Sequence, residues 1–214
     1  MHFDALLLSR PQFGVPVLLL IVFSSLALGL AGYVAVLEGL WLTTRTDAFL
    51  KLRSLWSRTF LVVFGIAALA VGLDVAAGAS APTWAAATNG FPARPAQLIV
   101  SALLSTALAV GAVSAARLWK GPDDVESCLA LRMASGMLVI CGPLEVALGD
   151  GARPRLIIGL ALAAGLLGLW GGLLCWRGSP ERSRLFLSAF VLMGPLAVLT
   201  PVAEWLGDGA ALRL

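Results

Sequence analysis

Residues 11–37, PQFGVPVLLLIVFSSLALGLAGYVAVL, run for 27 positions without a charged side chain. A bilayer core about 30 Å thick is crossed by about 20 residues of helix, and a helix satisfies its own backbone hydrogen bonds where no water can. This run by itself commits the chain to a membrane. Composition agrees, since 59% of the 214 residues are apolar and 13% are charged, against about a quarter charged in soluble domains.

Further runs set the architecture. Residues 58–94 are interrupted only by Asp74, and their second half, GASAPTWAAATNGFPARP, has the Gly, Pro and small polar content of a loop. Residues 95–116, 156–176 and 185–203 supply three more spans. The remaining one carries Arg132 near one end and Glu145 near the other, with 12 uncharged residues between them. The expected fold is an all-α integral membrane protein, a six-transmembrane-helix bundle in a single membrane domain over 1–214. Its helices are expected near 11–43, 57–78, 96–119, 127–148, 155–176 and 184–206. Pro143, Pro195 and Pro201 fall inside the fourth and sixth spans and are expected to kink them.

Basic residues are retained on the cytoplasmic side of a membrane. The loops between helices one and two, three and four, and five and six hold ten: Arg45, Lys51, Arg53, Arg58, Arg117, Lys120, Arg132, Arg177, Arg182 and Arg184. Arg10, Arg94, Arg153, Arg155 and Arg213 make five on the other side, so both termini are expected outside. MHFDALLLSRPQF lacks a basic start and precedes too long an apolar run for a cleaved signal peptide, so this segment is expected to stay attached. A formal charge of +3 needs no nucleic-acid partner. Cys128, Cys141 and Cys175 share no ligand or redox spacing and read as packing. Ala164, Gly168 and Gly172 repeat every four residues and predict a smooth face for a close neighbour helix.

More specific is the stretch that opens the first span. LSRPQF at 8–13, LGL at 28–30, AVLEGLWLTT at 35–44 and LWSRTFLVVFGIAALAVG at 55–72 resemble subunit I of the cytochrome bd quinol oxidases. The matching positions are Arg10, Gln12, Phe13, Gly29, Glu38, Trp56 and Phe60, and their spacing needs no gap. PTWAAATNGF, SGMLVICGPLEVALGDG and LLCWRGSPERSRLFL resemble the family more faintly. The resemblance covers nearly the whole chain, which stops where the family's quinol-binding loop and last three helices are expected.

The departures bear on chemistry. Haem iron takes histidine, methionine, cysteine or tyrosine as axial ligand, and in this family also glutamate. The resemblance places Leu20 at the family's first-helix histidine, its pair of third-helix glutamates near Ala96 and Leu104, and its fifth-helix histidine near Pro154 or Arg155. GDGA stands in place of its G-W-M-Q. The chain has one histidine, His2, outside the expected spans. Met133, Met137 and Met193 are read as core filler. No catalytic, metal or cofactor-binding residue is expected in this chain, with haems b and d carried by the partner subunit.

The candidate interface or proton-path residues are Arg10, Gln12, Glu38 and Glu145. Glu38 lies about 42 Å of helix from Arg10 at 1.5 Å per residue, so helix two or a neighbouring subunit must supply its partner. Glu145, near the end of the fourth span, is expected to snorkel to the outer surface, or else to face an interface or a proton path. Asp74 and Glu204 lie toward outer helix ends.

The resemblance implies a haem-free partner subunit, non-catalytic by itself, in a quinol:oxygen oxidoreductase complex of a bacterial or archaeal cytoplasmic membrane. Its implied partners are a full-length haem-bearing bd oxidase subunit I, membrane lipids and a quinone at the complex. Two alternatives reuse the scaffold differently: a small transporter or channel lined by Glu145, Asp74 and Glu204, and an oxidase assembly factor.

Overall fold

The computed structural model describes residues 11–76, 95–121, 124–148, 155–177 and 183–196, and all of its regular structure is helical. Six helices follow in order among the described residues: α1 (Pro11–Thr44), α2 (Asp47–Ala76), α3 (Pro95–Lys120), α4 (Val125–Leu148), α5 (Arg155–Arg177) and α6 (Arg184–Met193). Four of them contain stretches long and apolar enough to cross a membrane, at Val22–Thr44, Asp47–Leu69, Ile99–Lys120 and Val125–Leu148. Within α5 the apolar stretch Ile158–Leu174 is shorter. The chain is thus a helical membrane bundle. α1, at 34 residues, is roughly 51 Å long and exceeds the hydrocarbon thickness, so it tilts or projects.

α2 begins ten residues earlier than position 57, at Asp47, because the α1–α2 connection is only a tight turn. Arg45 takes a left-handed φ of 54°, and its N–H closes onto the Trp41 carbonyl at 2.7 Å, ending α1 in the manner usual for glycine. That conformation costs roughly 1–2 kcal/mol for an L-residue. The guanidinium of Arg45 lies 5.2 Å from the centroid of the Trp41 ring, a cation–π contact that offsets part of the cost. Asp47 in the first turn of α2 complements the positive end of the helix. Lys51 and Arg58 then sit exposed on the helix itself rather than in a loop.

α4 is opened by Asp124, whose Oδ1 accepts from the N–H groups of Glu126 and Ser127 and whose Oδ2 accepts the Ser127 hydroxyl at 2.5 Å. The Ser127 hydroxyl bond holds the Asp124 carboxyl below the usual carboxylate range. Ser183 caps α6 by accepting the Phe186 N–H. The sixth span, expected over 184–206, breaks after Met193, where Gly194 and Pro195 form a turn; proline has no N–H to continue the helical ladder. Pro201 and the remainder of that span lie outside the described residues.

Packing centres on α3, of whose span 67% is buried against 17% for α2. One core cluster joins α3 to α4, α5 and α6 through Leu104, Leu108, Leu131, Leu138, Leu167 and Phe186. A second joins α1 and α2 to α3 and α4 through Leu30, Tyr33, Trp56, Val110, Ala130 and Ala134. Without a hydrophobic drive between helices in lipid, close van der Waals fit decides these contacts. Small residues provide it. A Cβ built at Gly29 would stand 2.2 Å from the Ala102 carbonyl oxygen, and one at Gly168 2.8 Å from the Ser135 carbonyl oxygen.

The small-residue face of α5 differs from the expected one. Ala161, Ala164, Gly165, Gly168 and Gly171 are buried, whereas a Cβ at Gly172 would meet nothing within 4 Å. At 3.6 residues per turn, position 171 stays close to the line through 164 and 168 while 172 drifts off it. Gly171 instead abuts the Ser135 side chain and the Phe186 ring.

Candidate functional site

Polar side chains are concentrated at two places in the bundle. The first is the α1–α2 hairpin, where the Arg53 guanidinium pairs with the Glu38 carboxylate. Both side chains are just over one-third exposed, which places the pair at the rim rather than in the core. Glu38 and Arg53 lie at equal distances either side of the Arg45–Thr46 turn, so antiparallel packing brings them level. Helix two is thus the source of Glu38's partner. One turn further in, the Tyr33 and Trp56 rings meet edge to face, 5.8 Å between centroids and 81° between planes.

Because the Glu38–Arg53 pair is partly solvated, its free energy is modest. We expect Glu38→Gln, Arg53→Ala and the double variant, unfolded in mixed detergent micelles, to give a coupling of about 0.2–1 kcal/mol. Zero coupling would mean that the turn geometry alone sets the hairpin.

The second polar site lies between α3 and α4. Glu145 is 2% exposed, and its Oε2 accepts the Ser101 hydroxyl at 3.0 Å. This corrects the expectation that Glu145 snorkels to the outer surface. Position 145 falls on the same α4 face as Leu138, Cys141 and Gly142, and that face is turned into the bundle. α3 also buries Ser105 and Ser114, and α4 buries Ser127 and Ser135, while the Thr106 hydroxyl of α3 lies against Gly29 of α1. Met137 packs against both core clusters and Cys141 belongs to the first.

The remaining candidates are not brought together with these. Gln12 and Asp74 lie in α1 and α2, with side chains outside the described residues; Arg10, Glu204 and His2 lie wholly outside them. Arg132 is exposed on α4.

Ala96 and Leu104, near which the family resemblance implies glutamates, carry no group that could bind iron. Leu104, near which the family resemblance implies a glutamate, is 2% exposed and packed among the apolar side chains of the first core. Ala96 is exposed, while the side chains of Leu20, Pro154 and Arg155 lie outside the described residues. Between α1 and α3 the hydroxyl of Thr106 is held so close to Gly29 that even a Cβ there would overlap it. No macrocycle enters such a seam. Among the described residues no group of three or more His, Cys, Asp or Glu side chains is placed to hold a metal ion.

What sequence reasoning missed was Arg53 as the carboxylate partner and the inward aim of Glu145. Equal spacing about a short turn could have found the first. The second needed the helix phase, which the uniformly apolar α4 sequence conceals.

Residues 8–78, which take in α1, α2 and the turn between them, match the family model described as cytochrome bd terminal oxidase subunit I. The match covers the first third of the chain. Among curated proteins, none matches the chain.

Proposed function

We propose, from the membership of the cytochrome bd subunit I family that residues 8–78 support, that this chain is a haem-free partner subunit of a bd-type terminal oxidase. It pairs with a haem-bearing subunit I and supports quinol-dependent oxygen reduction without performing it. The observation that carries this reading is Leu104. A position implied to hold a carboxylate near the haems is filled by a leucine in a closed apolar core, while the family's entry hairpin is kept.

The exposed apolar positions of α2, Leu61, Val62, Phe64 and Leu69, give it a surface suited to lipid or to an apolar subunit. The exposed basic side chains Arg45, Lys51, Arg117, Lys120 and Arg184 follow from the ends of α1 and α3 and the starts of α2 and α6. Alternating helix direction gathers them at one end, which fits a cytoplasmic-membrane protein with that end inside.

Affinity purification from the native membrane in mild detergent tests the reading. A second, larger haem protein is expected to copurify in stoichiometric amount. Recovery as a spectrally silent monomer would refute it.

Burial of Glu145 is the one observation that favours a second reading, a transporter or channel. Ion flux into liposomes containing this chain alone, abolished in Glu145→Gln, would support it.

A further inference from the structure

We infer that the core between α1, α2 and α3 binds ordered water at the Tyr33 hydroxyl, the Trp56 indole N–H and the Thr106 hydroxyl. These three groups are buried and have no hydrogen-bond partner among the described residues. Tyr33 and Thr106 are 0% exposed and Trp56 is 6% exposed. In a bilayer no bulk water reaches such groups, and a buried polar atom left unpaired is strongly unfavourable. Native proteins meet this need with internal water, which makes two to four hydrogen bonds to groups otherwise unsatisfied.

The three groups belong to one neighbourhood. Tyr33 and Trp56 touch edge to face and share the second core cluster with Val110. Thr106 stands one turn before Val110 on α3, with its hydroxyl against Gly29, which is itself one turn before Tyr33 on α1. Their chemistry suits water rather than a metal ion or a larger guest. The indole N–H only donates, whereas each hydroxyl both donates and accepts, so a water oxygen can accept from Trp56 while its protons go to Tyr33 or Thr106. The close approach of α1 and α3 at Gly29 leaves no room for a ring-sized ligand.

A partly exposed polar pair lies toward the near rim. The Glu38–Arg53 pair is partly exposed and lies roughly 7.5 Å beyond Tyr33 along α1 and roughly 4.5 Å beyond Trp56 along α2, at 1.5 Å per residue. Because these helices are antiparallel, both offsets point to the same rim.

Radiolytic hydroxyl-radical labelling tests this, because X-rays generate radicals from bound as well as bulk water. The full chain, with any copurifying subunit retained, is labelled in lipid nanodiscs, and each residue's rate is divided by its rate in the denatured chain. Phe186 and Phe190, also 0% exposed, serve as dry references. Tyr33 and Trp56 are expected to be several-fold less protected than these phenylalanines, and Thr106→Val is expected to restore protection at Tyr33. Protection of Tyr33 and Trp56 equal to that of Phe186 and Phe190 would overturn the inference. Unchanged labelling in Thr106→Val would overturn the shared three-helix site.

Discussion

Gly29→Leu is expected to part α1 from α3 and to abolish recovery of the folded chain from mild detergent, whereas Gly39→Leu leaves recovery unchanged. A Cβ at 29 would already stand 2.1 Å from the Thr106 hydroxyl oxygen and 2.2 Å from the Ala102 carbonyl oxygen. The threonine can rotate away. The carbonyl cannot, since it belongs to the α3 backbone, so the helices themselves must move. Overpacking of this kind costs typically 1–3 kcal/mol, and occasionally more; a backbone obstacle puts Gly29 at the upper end. Gly39 is the control because a Cβ there meets nothing within 4 Å among the described residues. Size-exclusion recovery and thermal aggregation of the three proteins give the comparison. A monodisperse Gly29→Leu protein with wild-type thermal behaviour would show that α1 and α3 do not pack at this point.

The same logic separates two glycines of α5 that the sequence treats alike. Gly168→Leu should destabilise the α4–α5 contact by about 1–3 kcal/mol, while Gly172→Leu should be close to neutral. A Cβ at Gly168 lies 2.8–2.9 Å from the Ser135 carbonyl oxygen, the Val139 nitrogen and the Leu138 Cβ, two of them backbone atoms. A Cβ at Gly172 meets nothing within 4 Å among the described residues, so a leucine enters there without strain. Unfolding free energies in mixed micelles would measure both. Equal losses at 168 and 172 would restore the every-four-residues face and contradict the one centred on Ala164, Gly168 and Gly171.

These two cases show what could be read from the chain and what could not. The long uncharged run after Arg10 signalled helices across a bilayer, because a bilayer demands length and apolarity and both are visible without coordinates. Helix phase was less accessible. In a soluble helix the alternation of polar and apolar residues marks the inner face, but α5 is apolar between its terminal arginines and the few charges of α4 mark no single face, so only contact distinguishes Gly171 from Gly172 or turns Glu145 inward. The start of α2 was hidden for a related reason. Lys51, Arg53 and Arg58 read as loop residues when charge is taken as a bar to membrane helix, yet a helix can extend past the hydrocarbon into the headgroup layer and carry them there. Glu38 then finds Arg53 across the turn, and Arg45 occupies a backbone conformation that nothing in its side chain announces.

Of the candidate site, residue types were legible and neighbourhoods were not. The replacement of implied ligand positions by leucine and alanine could be noted from the resemblance alone. That Leu104 fills a packed core, and that Gly29 brings α1 against α3, required the structure.

Reduced-minus-oxidised absorption spectra, recorded on the chain expressed alone and on the complex drawn from native membranes, test the central claim most directly. The account predicts no haem band from the isolated chain at any concentration that gives a clear protein signal, and a strong haem band from the complex, assigned by mass to its companion subunit. A haem band from the isolated chain would contradict it.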